Sequence, residues 1–546
     1  MRLDYTSDLW WKNAVIYCLD VETYCDSDGD GVGDFRGLIG KVDYLASLGV
    51  TCVWLMPFYP SPNRDDGYDI SDYYGVDPRL GTLGDFVEFL RTAHDRGIRV
   101  IVDLVVNHTS DEHPWFIESR SSKDAPKRDW YVWRSKPSPS PASLAFPDKE
   151  KSNWQLDRRT GEYYLHRFYR FQPDLNIANP DVRDEICKIA AFWLALGVSG
   201  FRMDAVPFLL ELDGITDHMD VDPKVWLRSL RSFAGRRRGE AMLLGEVNTG
   251  MHELSSYFGG ADGDALHMQF AFLLNQSLWL SLARGEAESL EQVINALPVV
   301  PHDNAWATFL RNHDELTLDK LTVSQREEIF AAFGPKPDMQ IYGHGLRRRT
   351  ATMLGGDGPR LRMAWSLMLS LPGSPMIFMG DEIGMGEQLA IPDRYAVRVP
   401  MLWSADRNGG FSTAPAAQLV RPLPRGAFAP AKVNVEEQRR DPDSLLRFVR
   451  HLIHTRRETP ELGWGTSTLI ETEDPALFAH RCDWEGSTVI AIHNLGGRPA
   501  TAELALGDGA KGVHCLLGDF EERARRGGRL TVDLDGYGGR WLRVLR

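Results

Sequence analysis

Five apolar runs in this chain end in acids or histidines. They are IVDLVVNH with Asp103, Asn107 and His108, GFRMDAV with Arg202 and Asp204, LLGEVN with Glu246, FLRNHDE with His313 and Asp314, and MGDE with Asp381 and Glu382. Taken singly, each is explained as a helix N-cap or a satisfied structural group. Gathered on one rim, the carboxylates would repel one another and lose hydration, a cost that chemistry rather than stability would retain. Grouped carboxyl groups are the material of acid–base and nucleophilic work. A second cluster lies near the N-terminus, where DSDGDGVGD sets Asp26, Asp28, Asp30 and Asp34 among glycines. That is the oxygen-rich turn a hard cation such as calcium or magnesium requires, although it is only half an EF-hand loop, because residue 37 is Gly and the bidentate Glu is absent. A solvated Asp/Gly turn is the plain alternative.

The elements that must position these groups alternate. From Ala14 to about Ser110 short apolar runs (AVIYCL, TCVWL, IRVIVDLVV) are separated by amphipathic stretches (LIGKVDYLASLG, FVEFLRTAHDRG), which reads as strand, helix, strand, helix, strand. The helical stretches end at Gly49 and Gly97, and Thr82 with Asp85 supplies a capping-box start to the second. Residues 109–180 break the rhythm with charge-rich and Pro/Ser-rich sequence and read as an inserted subdomain. Strand-like runs recur at SGFRMDAV, AMLLGEV, HMQFAFLL, WATFLRNHDE and PMIFMGDE, which brings the count to eight. The fold class that follows is α/β, a closed (β/α)₈ TIM barrel built from residues 1–108 and 181–463, with the insertion after the third strand. The Pro- and Ala-rich segment from Ser404 to about Lys432 reads as a long loop. Residues 464–546, made of short β-type runs with Gly-rich turns, read as a C-terminal antiparallel β-sandwich domain.

Composition narrows the class without choosing a substrate. A net charge of −14 opposes binding to nucleic acid, and 16 Trp, 16 Tyr and 24 Phe in 546 residues demand a substantial core. The six cysteines have no CxxC spacing and read as reduced core residues. The N-terminus lacks the basic and apolar regions of a signal peptide, and no run reaches the roughly 20 apolar residues of a membrane span, so the expectation is a cytoplasmic protein without a membrane partner. Self-association is left open.

DLVVNH, GFRMDAV, GEV and NHD, in that order, resemble the motif set of the α-amylase superfamily, family 13 of the glycoside hydrolases. QPDLN at Gln172 to Asn176 is similar to the variant of oligo-1,6-glucosidases and trehalose synthases. The resemblance implies Asp204 as nucleophile, Glu246 as acid/base and Asp314 as the group that steadies the oxocarbenium-like transition state, with His108 and His313 bonding the same sugar ring. Arg202, two residues from Asp204 on one strand, would keep the nucleophile ionised and aligned. SPNRDDGYDISDY resembles the segment lining the first sugar subsite, so Asp65 would meet the non-reducing hydroxyls and Tyr68 would stack under the ring. In DRYAVRVPMLWS, Arg398 would pair with Asp65 and close the pocket, and Phe168 in YYLHRFYRFQPDLN matches a wall aromatic.

By the same resemblance the first acidic loop is a structural calcium site. Its ligands would be Asp26, Asp28, Asp30, Asp34 and the Val32 carbonyl, with magnesium as the other candidate ion; no organic cofactor is implied. A second metal site would map to Asn107, Asp174, Glu211 and the carbonyls of Phe208 and Leu209. SLPGSPMIFMGDEIGMGE, FLRNHDELTLDKL and GLRRRTATML are most similar to trehalose synthases, the maltose–trehalose isomerases, although GEVNTGM stands where that group usually reads AEANQWP. The implied activity is therefore retaining α-glucosyl transfer on maltose, trehalose or short oligosaccharides, as isomerase or as α-glucosidase acting on malto- or isomalto-oligosaccharides. A non-catalytic sugar-binding barrel is the remaining alternative, and the three carboxylates speak against it.

Overall fold

The computed structural model describes residues 9–137, 144–146, 148–210, 222–518, 520–525 and 527–546. Eight short parallel strands close into a barrel: β1 (Ile16–Leu19), β2 (Cys52–Leu55), β3 (Arg99–Leu104), β4 (Gly200–Met203), β5 (Met242–Gly245), β6 (Met268–Phe270), β7 (Ala305–Phe309) and β8 (Ser374–Phe378). Each strand pairs with its sequence neighbours and β1 closes on β8, with Ile16 opposite both Met376 and Cys52. All residues of these strands are buried, as expected of parallel strands covered by helices outside and by side chains inside. Gly200 opens β4 at φ +146°, where a Cβ would sit 2.0 Å from the Met242 carbonyl, so the β4–β5 approach requires glycine.

Helix α1 (Val42–Leu48) ends on Gly49 in the left-handed region, and α2 (Leu83–Asp95) begins with the full Thr82–Asp85 capping box. The run HMQFAFLL divides: only its first part is strand, and the chain turns directly into the helix Phe272–Arg284. Its apolar character continues through that turn because both elements are buried, so period alone could not locate the break.

Between β3 and the helix Pro180–Leu196 the chain builds a three-stranded antiparallel sheet from Trp133–Arg134, Glu162–Leu165 and Trp154–Asp157. Isolated bridges His108 to Asp174 and Tyr131 to Leu175 return this insertion to the barrel rim. From Ser404 to Lys432 only three-residue to four-residue 3₁₀ turns interrupt the loop. Beyond Thr466 a six-stranded antiparallel sheet faces a two-stranded one, Ala500–Ala505 with Arg529–Leu534, across a separate apolar core that includes Ile490, Leu504, Val532 and Leu542. All six cysteines are free. Among the described residues no helix is long and apolar enough to cross a membrane.

Candidate active site

The C-terminal ends of β3, β4, β5 and β7 deliver their polar residues to one place, and Arg202 organises it. This arginine is 1% exposed and donates to Asp204, to Asp103 Oδ1 at 2.7 Å and, through Nη2, to Glu246 Oε2 at 2.8 Å. Glu246 Oε2 also accepts from the Ala205 amide at 2.9 Å. One guanidinium spanning both carboxylates favours the short spacing, about 5 Å, of a nucleophile and acid/base pair over the wider gap an inverting enzyme keeps for water. Asp103, whose Oδ2 accepts from Trp54 Nε1 at 2.8 Å, braces the arginine from behind.

Burial is the first cause of the protonation pattern. It pushes Asp204 up to about 6, against the pull of Arg202, and pushes Glu246 up to about 7, where Arg202 again opposes and the Asp204 and Asp314 charges add to the rise. Desolvation is the larger effect on Glu246, and the Asp204 charge adds to it. At neutral pH the pair therefore tends to the ionised Asp204 and part-protonated Glu246 that a nucleophile and an acid require. Asp314 is different. Burial acts on it too, yet Arg394, His313 and Arg398 outweigh that and hold its carboxyl well below the usual range.

The blind end of the pocket corrects one expectation. Asp65 does not pair with Arg398. It accepts from Arg394 Nη2 at 2.9 Å, Tyr395 Oη at 2.8 Å and Gln172 Nε2 at 2.9 Å. Arg398 instead donates to Asp66 Oδ2 at 2.6 Å, Asp314 Oδ1 at 2.7 Å and the His313 carbonyl at 2.9 Å. The reason lies in the backbone. Asp66 sits at φ +56°, which sends its side chain away from that of Asp65, and the 3₁₀ turn Asp393–Val397 presents Arg394 to one aspartate and Arg398 to the other. Both arginines meet on Asp314 Oδ1, Arg394 at 2.8 Å.

A cavity of about 270 Å³ opens over this network, lined among others by Asp65, Tyr68, His108, Phe168, Asp204 and Glu246. Asp314, Arg394, Asn248 and Lys320 also reach it. His108 touches the Tyr68 carbonyl at 3.2 Å and the Phe168 ring at 5.1 Å, and burial lowers its pKa to about 4, so it is neutral. Arg202, His313 and Arg398 lie behind the wall rather than on it, each almost fully buried. His313 is covered by Tyr68, whose ring stacks on it at 5.7 Å and whose hydroxyl meets Nε2 at 2.7 Å, while the same nitrogen lies 3.1 Å from Asp314 Oδ2. Its path to a sugar is through those two side chains. The sequence missed Arg394 as a wall-forming group and Tyr395 and Gln172 as the groups that hold Asp65; DRYAVR offered two arginines four apart, and no periodicity separates them.

The acidic loop near the N-terminus gathers three of its four aspartates. Ligand-capable oxygens of Asp26, Asp28 and Asp34 lie within 4.8 Å of one another. Asp30 is not among these three grouped carboxylates, and its Oδ1 accepts from the Val32 amide at 2.8 Å. Three hard oxygen donors fit calcium or magnesium. The same loop clasps a distant segment: the Asp26 amide donates to the Phe411 carbonyl at 2.9 Å, and the Val420 amide to the Gly31 carbonyl at 2.9 Å. The second set is also partly assembled. Asn107 donates to Asp174 Oδ1 at 3.4 Å, while Asn107 Oδ1 and Asp174 Oδ2 are buried without a hydrogen-bond partner among the described residues. Buried orphan oxygens of this kind fit a bound cation. Phe208 and Leu209 lie in the last turn of the short helix Val206–Leu210; Glu211 lies outside the described residues.

A closed parallel barrel with paired carboxylates bridged by an arginine at its C-terminal rim defines a barrel enzyme of the paired-carboxylate kind. The alpha amylase catalytic domain matches residues 20–330 and 339–465, and a sucrose hydrolase-like C-terminal domain matches residues 486–543. The chain belongs to the α-amylase family of glycoside hydrolases. It is 44% identical over 491 residues to the trehalose synthase of Thermus thermophilus, a match covering 89% of this chain and 50% of that protein, so it spans half the length of that relative. It is 39% identical over 550 residues to the trehalose synthase of Pimelobacter sp. (strain R48), covering 98% of this chain and 96% of that one. The crystal structure of the trehalulose synthase MutB from Pseudomonas mesoacidophila MX-45 superposes with a TM-score of 0.78 at 27% identity, covering 98% of this chain and 99% of that one.

Proposed function

We propose that the protein interconverts maltose and trehalose through a covalent glucosyl-Asp204 intermediate, with some hydrolysis alongside. Asp204 attacks the anomeric carbon while Glu246 gives its proton to the leaving oxygen. The glucose so released is retained, turns, and attacks the same carbon through a different hydroxyl, returning a proton to Glu246. Water in its place gives hydrolysis. Asp314, held anionic by two arginines, bonds the sugar hydroxyls, and Asp65 with Arg394 and Tyr395 fixes the non-reducing end. The single observation that carries this reading is the cavity of about 270 Å³ that brings the bonded pair Asp65 and Arg394 together with Asp204 and Glu246, a space for one terminal glucose beside the carboxylates. The relatives named trehalose synthase support the isomerase.

A second reading, α-glucosidase and transglucosylase on malto- or isomalto-oligosaccharides, is favoured by an adjoining cavity of about 300 Å³ that shares Phe168, Phe208, Glu246 and Asp314 and extends to Phe272 and His344. That space could seat a longer acceptor. Incubating the purified protein with maltose and resolving the products decides between them: trehalose as the main product supports the isomerase, and glucose with longer oligosaccharides and no trehalose overturns it. We further assign a structural calcium to the Asp26, Asp28 and Asp34 loop, with magnesium as the substitute, and a second cation to Asn107 and Asp174. Six unpaired cysteines support a reducing, cytoplasmic location.

A further inference from the structure

One of the two arginines on Asp314 is itself held from outside the pocket. Arg398 is fully buried and divides its guanidinium between two carboxylates, Nη1 on Asp66 Oδ2 at 2.6 Å and Nη2 on Asp314 Oδ1 at 2.7 Å. The other oxygen of Asp66, Oδ1, is taken by Arg421 Nη2. Arg421 is not among the residues that line the cavity over Asp204 and Glu246. Burial drives the Asp66 carboxyl up, yet Arg421 first and Arg398 after it outweigh that and hold it well below the usual range. Asp314, Arg398, Asp66 and Arg421 thus alternate in sign from the pocket outward. Arg421 also lies over the Tyr395 ring at 5.1 Å, and the Tyr395 hydroxyl donates to Asp65. The backbone that carries Arg421 is pinned on both sides. Before it, the Val420 amide donates to the Gly31 carbonyl at 2.9 Å, and Gly31 sits at φ +99° where a Cβ would stand 2.2 Å from the Gln418 carbonyl, so this approach requires glycine. After it, the Leu423 carbonyl accepts from Gln388 Nε2 at 2.9 Å, and the Gln388 amide donates to the Ala396 carbonyl at 2.9 Å, inside the turn that presents both pocket arginines.

We propose that Arg421 is a positioning residue for glucosyl transfer, occupying one oxygen of Asp66 so that Arg398 keeps its Nη2 on Asp314. Without it, Asp66 Oδ1 is a buried acceptor with no donor, and a bare buried carboxylate oxygen is costly. Arg398 is the donor already in place. Its guanidinium closes on Asp66 as a two-pronged fork, a geometry this pair favours, and Nη2 leaves Asp314. Asp314 then turns to Arg394 and His313 alone and is displaced from the sugar hydroxyls. The proposal rests on Asp314 as a sugar-bonding group and is indifferent to whether the product is trehalose.

The test is a double-mutant cycle on the full chain, with Arg421→Ala, Asp66→Asn and the pair, read as initial rates on 4-nitrophenyl α-glucoside beside a thermal melt of each variant. That substrate reports glucosyl transfer whatever acceptor follows, so a failure here is distinct from a failure of the isomerase reading, which the maltose products decide. Arg421→Ala should lower kcat about 10-fold to 100-fold and leave KM within about threefold, because Asp314 is needed most in the transition state. In the Asp66→Asn background the same substitution should change kcat by less than about twofold, since the group through which Arg421 acts is gone. Arg421→Lys, which keeps one point charge for a single contact, should restore most of the rate. This variant and the split between kcat and KM decide the matter even where Asp66→Asn does not fold. A kcat unchanged in Arg421→Ala would overturn the proposal. So would a loss of equal size with and without Asp66, or one confined to KM and accompanied by a lowered melting temperature, either of which marks Arg421 as a structural tie of the loop.

Discussion

Arg394→Ala removes a side chain that joins Asp65, at the blind end of the pocket, to Asp314, the carboxylate proposed above to bond the sugar. Its two charge-assisted bonds, to Asp65 at 2.9 Å and Asp314 at 2.8 Å, are both lost. Each would be worth about 1.5–3 kcal/mol, but neither partner is left bare. Asp314 keeps Arg398 and His313, and Asp65 keeps Tyr395 and Gln172. The loss should therefore fall short of the roughly 3–5 kcal/mol seen when a buried pair is broken outright. We expect about 2–4 kcal/mol of transition-state stabilisation, or about 30-fold to 1,000-fold in kcat/KM for disaccharides. Arg394→Lys, a point charge able to reach one aspartate at a time, should fall between. The assay is initial rates with maltose beside a thermal melt of each variant. A folded Arg394→Ala protein within threefold of the unaltered kcat/KM would refute the reasoning. So would an Arg398→Ala variant that is as stable as the parent, since Arg398 is fully buried with Asp66 and Asp314 depending on it.

Three further outcomes follow from the same geometry. Asp204→Asn should abolish turnover while the fold persists, because an amide fills the volume but cannot attack; more than a few per cent of activity in a mass-verified sample would count against the nucleophile. Activity should be bell-shaped in pH, lost as pH falls through about 6 when Asp204 takes a proton and as it rises through about 7 when Glu246 gives one up, so a kcat/KM profile flat from pH 5 to 9 would contradict both assignments. A chelator should lower the melting temperature by releasing a cation from Asp26, Asp28 and Asp34, and Asp26→Asn should mimic it; elemental analysis finding no divalent metal would remove the basis for this.

Much of the architecture was legible because parallel barrel strands announce themselves. Runs such as IVDLVV and MLLG are apolar without alternation, and the residue that follows each is polar for a reason outside the core. The Thr82–Asp85 cap and the Gly49 stop are local chemistry and read directly. What could not be read is which way a side chain turns when two of one kind adjoin. Asp65 and Asp66 differ only by a left-handed backbone at the second, and Arg394 and Arg398 differ by one turn of a 3₁₀ segment; neither is visible in residue type. Asp30 is absent from the Asp26, Asp28 and Asp34 group in the same way, since residue type and spacing do not distinguish it from them. Gln172 contributes from an insertion whose path back to the rim depends on two isolated bridges, a long-range fact with no sequence period.

The clasp between the Asp26 loop and residues 411–420 bears on the order in which the molecule becomes competent. It is followed at once by Arg421, which pairs with Asp66, the partner of Arg398. The far wall of the pocket is thus knotted from segments more than 300 positions apart in sequence. Contacts of such separation are formed late, because the chain between them must first be ordered. While the protein is being synthesised, both carboxylates and their arginine emerge long before Arg394 does. The bonds that Arg394 and Arg421 make to Asp65 and Asp66 are therefore added to the pocket only after the carboxylate pair and its arginine have been made.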